Sequence, residues 1–169
     1  MTAAFFHSAR RWVAVVLLSL ALPVASCASP LPTTAHVRRA VDGDTIELDD
    51  GRLVRYIGID TPEVRRREGE RWVEEPQPFG HEASEANRRL VEGKTVRLEY
   101  DAQPYDRYGR LLAYVYVEER LINAQLVEDG YAHLLTIPPN VKHAEEFREL
   151  AKRARANRRG LWAEPASRR

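Results

Sequence analysis

The stretch VDGDTIELDDGRLVRYIGIDTPE, from Val41 to Glu63, decides the fold. Two β-rich runs flank Asp49-Asp50-Gly51, and Asp and Gly tolerate the positive φ angles of tight hairpin turns. The pattern therefore predicts a β-hairpin. A hairpin returns the chain to its starting point, so the D-G-D cluster of Asp42 and Asp44 and the D-T-P-E cluster that begins at Asp60 can share one site.

The two clusters suit a cation and an anion together. Carboxylates held close to one another repel unless a cation or protons neutralise them, which favours a hard metal ion. Arg55 lies on the second strand of the hairpin, and the segment Asp106–Arg110 supplies a further arginine at its end. Carboxylates for a metal and two arginines for an anion indicate a phosphate-ester site.

Residues 1–27 have the composition of a secretory signal. Arg10 and Arg11 precede an apolar run from Trp12 to Val24, which is shorter than the ~20 residues of a membrane-spanning helix. The end, Val24-Ala25-Ser26-Cys27, resembles the lipobox of bacterial lipoproteins, in which the cysteine is acylated. The alternative is an incidental cysteine in a signal cleaved after Ala28. We expect export to the cell envelope, with Cys27 as a lipid anchor in the membrane, or secretion.

The net charge argues against nucleic-acid binding by bulk electrostatics. The signal carries two of the 26 Lys and Arg residues and none of the 25 acidic ones, so 24 basic residues face 25 acidic residues in the mature chain. Any phosphate binding must be local. Arg65-Arg66-Arg67 and the run from Arg148 to Arg159 are candidates, although a solvated charged face is the alternative for both and is favoured for the second.

The remaining sequence predicts five strands in all. Apolar alternation and β-branched residues place them at His36–Ala40, Thr45–Leu48, Leu53–Ile59, Thr95–Tyr100 and Arg110–Val117. Strict alternation would put Arg55 and Asp60 on opposite faces of one strand, so a shared site requires a bend, expected at Gly58. Val64 to Pro78 has no clear periodicity and is expected to be a long surface loop.

Three helices are predicted by apolar residues at three- and four-residue steps. They are Gly80–Val91, a helix that contains Leu126 and Val127 and is capped by Asn123, and His143–Asn157. This order predicts an α+β fold: a five-stranded OB-fold barrel with about three helices packed against it. We expect a spacer at residues 28–35, the domain at residues 36–163 and a frayed tail at residues 164–169.

Three motifs in this order resemble the staphylococcal nuclease (thermonuclease) family. They are VDGDT at Val41–Thr45, RYIGIDTPE at Arg55–Glu63 and DRYGR at Asp106–Arg110. The helix start at Gly80–Ser84 and the closing Gly160–Trp162 are also similar to it, so the resemblance runs from about His36 to Ala163. It implies an OB-fold nuclease that uses one Ca²⁺ ion to hydrolyse DNA and RNA with little sequence specificity. Such enzymes cut the 5′ P–O bond and leave 3′-phosphate ends.

The resemblance also assigns residues to the metal. Asp44 and Asp60 would bind the calcium through their carboxylates, and Thr61 through its backbone carbonyl. Asp42 would lie near the metal without binding it. Oxygen ligands of this kind are those that Ca²⁺ prefers.

The catalytic and substrate-binding roles follow from the same motifs. Glu63 would orient or deprotonate the attacking water, and Arg55 and Arg110 would hold the phosphate and stabilise its charge. Arg107 and Tyr108 would contact the substrate. Forked guanidinium groups match phosphate oxygens bidentately, so lysine would be a poor substitute for either arginine.

Two departures from the family pattern concern substrate preference. Tyrosines often follow the glycine that corresponds to Gly130, but here the segment reads Thr136-Ile137-Pro138-Pro139. Tyr108, or also Tyr105, must then supply more of any base contact. The segment from Val64 to Phe79 also looks longer than the corresponding loop.

Two other functions compete with the enzyme. One is a non-catalytic nucleic-acid-binding OB-fold module of the envelope, and the other is a calcium-stabilised structural domain. A module that has lost catalysis should lack part of the constellation, and a structural domain would not need both arginines. Here all five residues, Asp44, Asp60, Glu63, Arg55 and Arg110, are present, which favours the enzyme. We expect it to be a monomer.

Overall fold

The computed structural model describes residues 30–69 and 71–163, and at residues 65–67 and 72 it describes the backbone. The expected signal with Cys27, the start of the spacer and the tail at 164–169 lie outside the described residues. None of the helices within these ranges is long and apolar enough to cross a membrane.

Short strands precede and separate three helices in the described residues. The strands are β1 (Thr34–Ala40), β2 (Thr45–Leu48), β3 (Leu53–Tyr56), β4 (Gly58–Asp60), β5 (Arg65–Glu68), β6 (Arg71–Glu74), β7 (Thr95–Glu99), β8 (Leu111–Val117), β9 (Arg120–Leu121) and β10 (His133–Leu135). The helices are α1 (Gly80–Val91), α2 (Ile122–Glu128) and α3 (Ala144–Ala156), followed by a 3₁₀ turn at Gly160–Trp162.

Five strands close a barrel, which confirms the predicted fold class. β1 pairs antiparallel with β2 near one end and with β7 near the other. β2 also pairs with β3, and β7 with β8. Parallel pairing of β3 with β8, with Val54 opposite Leu111, completes the ring. In chain order, α1 lies between the third and fourth barrel strands, as the sequence predicts.

The core lies inside the barrel and under the helices. Ile46, Val54 and Val115 of the barrel are fully buried, because alternation turns every second side chain inward. The apolar stripe of α3 packs on the same core through Phe147 and Leu150. Burial of this shared apolar surface is the main force that holds the helices against the barrel.

The turn after β2 and the bend at Gly58 both form as predicted. Gly51 N–H donates to the carbonyl of Leu48 at 2.9 Å. Gly58 has φ = 84°, and a Cβ there would stand 2.8 Å from the ring of Phe147. Glycine is therefore needed at position 58 for both backbone conformation and space. The bend divides the predicted strand Leu53–Ile59 into β3 and β4, and β4 pairs with β10.

The prediction of a loop from Val64 to Pro78 is wrong for most of this segment. β5 and β6 form an antiparallel hairpin in which Arg65 is paired with Glu74 and Arg67 with Trp72. Pro76 and Pro78 follow β6 and so do not interrupt the strand pairing.

The predicted N-cap at Asn123 is also wrong. Leu121 is the N-cap of α2, and Asn123 lies within the helix and is fully buried. Its Oδ1 accepts a hydrogen bond from Val115 N–H, and its Nδ2 donates to the carbonyl of Ile57, both at 2.9 Å. Asparagine is common at N-caps, but here its partners on the barrel determine its place.

We expect Asn123→Leu to lower the free energy of unfolding by ~2–4 kcal/mol, because it leaves the buried Val115 N–H and Ile57 carbonyl without these partners. Urea unfolding followed by circular dichroism measures the change. Asn157→Ala, at an exposed position after α3, is the control and should change the value by less than ~1 kcal/mol. Equal stability of Asn123→Leu and the parent protein would contradict the prediction.

Candidate active site

The D-G-D and D-T-P-E clusters meet at the buried carboxylate of Asp44. Asp44 Oδ2 accepts hydrogen bonds from the N–H of Thr61 at 2.8 Å and from its Oγ1 at 3.2 Å. Gly43 lies so close to Thr61 that a Cβ at position 43 would stand 2.5 Å from Thr61 Oγ1. The close approach of the two loops therefore requires glycine at this position.

Arg55 links the two carboxylates predicted to bind a metal. Its Nη1 lies 2.5 Å from Asp44 Oδ2, and its Nη2 donates to Asp60 Oδ1 at 2.6 Å. The bend at Gly58 brings Asp60 back to the side of Arg55, as predicted. Although Nη1 is buried, it has no partner with hydrogen-bond geometry among the described residues.

Asp44 is a buried carboxylate whose pKa is raised mainly by its removal from water. Burial raises the pKa of Asp44 to about 7, and the charges of Asp42 and Asp60 raise it as well. The charge of Arg55 and the hydrogen bond from Thr61 N–H act in the opposite direction. A carboxylate with a raised pKa is one whose charge is incompletely compensated, so the site favours another cation.

Glu63 lies within the same electrostatic field. Partial burial raises the pKa of Glu63, with a further contribution from Asp42, whereas the charges of Arg55 and Arg110 lower it. A carboxylate with a raised pKa is a stronger base than an ordinary one, which suits proton transfer. The charges of both predicted arginines thus act on Glu63.

The metal donors that this site offers are oxygen atoms. The predicted ones are the carboxylates of Asp44 and Asp60, which Arg55 links, and the backbone carbonyl of Thr61. Within residues 30–69 and 71–163, no three side chains of His, Cys, Asp and Glu form a group that could hold an ion by themselves. Two carboxylates and a carbonyl, with water to complete the shell, fit Ca²⁺ better than a metal that prefers nitrogen and sulfur. The raised pKa of Asp44 agrees with a cation at this place.

Asp106 fixes the second arginine. Its Oδ2 accepts the Nε–H of Arg110 at 2.7 Å, and its Oδ1 accepts the backbone N–H groups of Arg110 at 3.0 Å and Tyr108 at 2.8 Å. Burial alone would raise the pKa of Asp106, but these hydrogen bonds outweigh it and lower the pKa. Because Asp106 binds Nε, the Nη groups of Arg110 remain available to another anion.

A cleft of about 520 Å³ contains both arginines. This volume lies in the range of ~300–1,000 Å³ that is usual for small-ligand sites. Arg107 and Tyr108 line the cleft, and Arg107 Nη2 donates to the Tyr108 hydroxyl at 2.6 Å. The Tyr108 side chain is 69% exposed, so its ring is accessible. Tyr105 does not line the cleft.

The segment that lacks the expected tyrosines forms an apolar part of the cleft lining. Leu135, Ile137, Pro138 and Pro139 all contribute, and Ile137 is 61% exposed. Buried Asn140 fixes this segment to the one before Tyr108. Its Oδ1 accepts the N–H of Gln103, and its Nδ2 donates to the carbonyl of Gln103, both at 2.8 Å.

Comparison with known proteins identifies the family. The model of the staphylococcal nuclease homologue family matches residues 53–164. The chain belongs to the staphylococcal nuclease family. It is 39% identical to the thermonuclease of Staphylococcus hyicus over 77% of this chain and 76% of that protein. It is 38% identical to the thermonuclease of Staphylococcus intermedius over 75% of this chain and 74% of that protein. The endonuclease YncB of Bacillus subtilis is 36% identical over 74% of this chain and 59% of its own length.

The structure thus groups most residues that the family motifs single out. Asp44, Asp60, Thr61 and Arg55 are in direct contact. Arg55, Arg107, Tyr108 and Arg110 line the cleft, whereas Glu63 does not line it and is linked to its arginines by charge. Cys27 lies outside the described residues.

Three supporting residues were not found from the sequence. Asp106 could have been, since an aspartate at the start of a tight turn commonly accepts N–H groups two residues on. Asn140 could not, because its partner Gln103 is distant in the sequence. The same holds for Asn87 of α1, whose Nδ2 donates to the carbonyl of Asp42 at 2.8 Å and whose Oδ1 accepts the hydroxyl of Tyr56.

Proposed function

We propose that this protein is a calcium-dependent nuclease that hydrolyses phosphodiester bonds of DNA and RNA with little sequence specificity and leaves 3′-phosphate ends. The observation that carries the proposal is the convergence of Arg55 and Arg110 on one nucleotide-sized cleft, with Arg55 bound to Asp44 and Asp60. The relatives that are named thermonucleases and endonucleases support a nucleic-acid substrate.

Asp44, Asp60 and the backbone carbonyl of Thr61 would hold one Ca²⁺ ion. When bound, the ion supplies positive charge that stabilises a phosphoryl oxygen during displacement. The two hydrogen bonds from Thr61 orient the Asp44 carboxylate in advance, so little reorganisation is needed there.

Arg55 and Arg110 bind the phosphate oxygens and hold the phosphorus in place for attack. Negative charge on these oxygens grows as the pentacovalent state forms, so guanidinium groups stabilise that state more than the substrate. Glu63 accepts a proton from the attacking water, or orients that water, beside the phosphate. The fixed positions of both arginines, set by neighbouring carboxylates, lower the entropic cost of this arrangement.

The nucleotide next to the phosphate lies along Tyr108 and the apolar lining that includes Ile137. An aromatic ring and aliphatic side chains pack on the face of any base, which agrees with little sequence preference. Arg107 lies beside the Tyr108 ring and adds positive charge for the polynucleotide backbone.

We expect Tyr108→Ala to raise KM about ten-fold and to leave kcat within about three-fold, because base stacking contributes mainly to binding. Steady-state kinetics on single-stranded DNA measures both constants. Tyr105→Ala is the matched control, since Tyr105 is also exposed but does not line the cleft, and its KM should not change. An unchanged KM in Tyr108→Ala would exclude this role.

The proposed activity is tested with residues 28–169, denatured plasmid DNA and RNA, in Ca²⁺ and then in excess chelator. We expect degradation that requires Ca²⁺. The products should carry 5′-hydroxyl ends that a polynucleotide kinase phosphorylates directly, and 3′ ends that a polymerase extends only after a 3′-phosphatase has removed the phosphate. Tight binding without cleavage under every divalent ion would instead support the non-catalytic binding module.

We further propose that the protein acts outside the cytoplasm. The support is the sequence pattern of residues 1–27 alone, with Cys27 as the site of acylation. Cells that produce the full chain would be grown with a radioactive or clickable fatty acid. The protein should become labelled, and Cys27→Ser should abolish the label.

A further inference from the structure

The peptide groups of Glu63 are held by a single residue, Gln77. The N–H of Glu63 donates to the side-chain Oε1 of Gln77 at 3.1 Å, and the N–H of Gln77 donates to the carbonyl of Glu63 at 2.8 Å. The two hydrogen bonds together fix both the position and the orientation of the Glu63 backbone. Glu63 itself is exposed, so core packing does not fix it.

Gln77 is in turn fixed by its neighbours. It lies between Pro76 and Pro78, and a residue before proline is confined to extended conformations. Its carbonyl accepts the N–H of Gly80, the first residue of α1, at 2.9 Å. A Cβ at position 80 would stand only 2.7 Å from the Glu63 carbonyl, so α1 begins in direct contact with the Glu63 backbone.

The β5–β6 hairpin begins and ends outside this contact. The hairpin follows Val64 and precedes Glu75. The N–H of Glu75 donates to the carbonyl of Val64 at 3.1 Å, which closes the base of the hairpin. Glu63 is therefore connected to α1, whose Ala83 and Ala86 are buried. The hairpin lies between Glu63 and Gln77 in the sequence, but the hydrogen bonds that join these two residues do not involve it.

We propose that Gln77 is a positioning residue that holds Glu63 in place for attack on the phosphate. The proposal rests on the proposed nuclease function, since it assigns Gln77 a part in that reaction. A displaced general base loses much of its effect, because a shift of about 1 Å can cost ~10²-fold in rate. Loss of the Gln77 acceptor should therefore lower kcat by ~10–10²-fold and leave KM and the midpoint of thermal unfolding unchanged.

The test uses two substitutions of similar size. Gln77→Met removes the acceptor, whereas Gln77→Glu keeps an oxygen that can accept the Glu63 N–H. We expect low kcat in Gln77→Met and a kcat within about five-fold of the parent in Gln77→Glu. Gln125→Met is the matched control, because it removes a side-chain hydrogen bond from α2 to Asp129, the residue that follows the helix, and should leave kcat unchanged.

A double-mutant cycle separates positioning from a general loss of structure. In a Glu63→Ser background there is no base to position, so Gln77→Met should leave the residual rate within about two-fold. If Gln77→Met lowered kcat equally in both backgrounds, Gln77 would not act through Glu63 and the proposal would be wrong.

Exchange of the Glu63 amide hydrogen, followed by NMR, gives a readout that is independent of activity. The exchange should be about ten-fold faster in Gln77→Met than in the parent or Gln77→Glu, because the amide loses its acceptor. Unchanged exchange would overturn the proposal even in an active enzyme. An inactive parent protein would refute the proposed function instead, which the calcium experiment detects separately.

Discussion

Arg110→Ala is expected to lower kcat by ~10²–10³-fold, because it removes a donor that is fixed in advance at the phosphate. Asp106 binds the Nε–H and backbone N–H of Arg110, so the guanidinium is held whether or not substrate is present. Arg110→Lys should recover little of this loss, since an ammonium group cannot bind Asp106 and two phosphate oxygens in the same planar arrangement. Single-turnover cleavage of a short labelled DNA measures the chemical step directly.

Arg120→Ala is the control for this prediction, because Arg120 is an exposed arginine of β9 that does not line the cleft. It should cleave at the parental rate. The circular dichroism spectrum and the calcium affinity of Arg110→Ala should also match those of the parent. Arg110 is partly exposed, and its ion-pair partner is Asp106 rather than Asp44 or Asp60. A folded Arg110→Ala protein that retains full activity would exclude Arg110 from the phosphate site.

The parts of the fold that local sequence determines were predictable. The Asp49-Asp50-Gly51 turn sets the first hairpin, and the bend at Gly58 follows from the requirement that Arg55 and Asp60 share one side. These features depend on residues that are close in the sequence, where turn chemistry and alternation are informative. The meeting of Asp44 with Thr61 then follows from the hairpin itself.

The parts that long-range contacts determine were not predictable. Asn123 has the residue type of a helix cap, but hydrogen bonds to Val115 and Ile57 place it inside α2. The β5–β6 hairpin lacks a simple alternating pattern, since it forms a two-stranded sheet of its own rather than a strand of the barrel. The role of Gln77 at the site was unpredictable for the same reason, because the residues next to it in the sequence do not indicate that Glu63 is its partner.

Glu63→Ser is expected to have the largest effect on the reaction, a fall in kcat of ~10²–10⁴-fold, which is the usual contribution of a positioned general base. The substitution removes the carboxylate whose pKa is raised by partial burial and by Asp42. Folding should be unaffected, because Glu63 is exposed and its backbone remains held by Gln77. Single-turnover kinetics, with calcium binding measured by calorimetry, distinguishes a lost base from a lost metal.

Glu63→Gln separates the two roles that are open for this residue. If Glu63 only orients the water by accepting a hydrogen bond, the amide oxygen of glutamine can still accept it, and Glu63→Gln should be much faster than Glu63→Ser. If Glu63 removes the proton, glutamine cannot replace it and the two variants should be equally slow. Glu119→Ser, in the exposed turn after β8, is the control and should leave the rate unchanged. Parental activity in Glu63→Ser would exclude both roles, and another residue would then have to be the base.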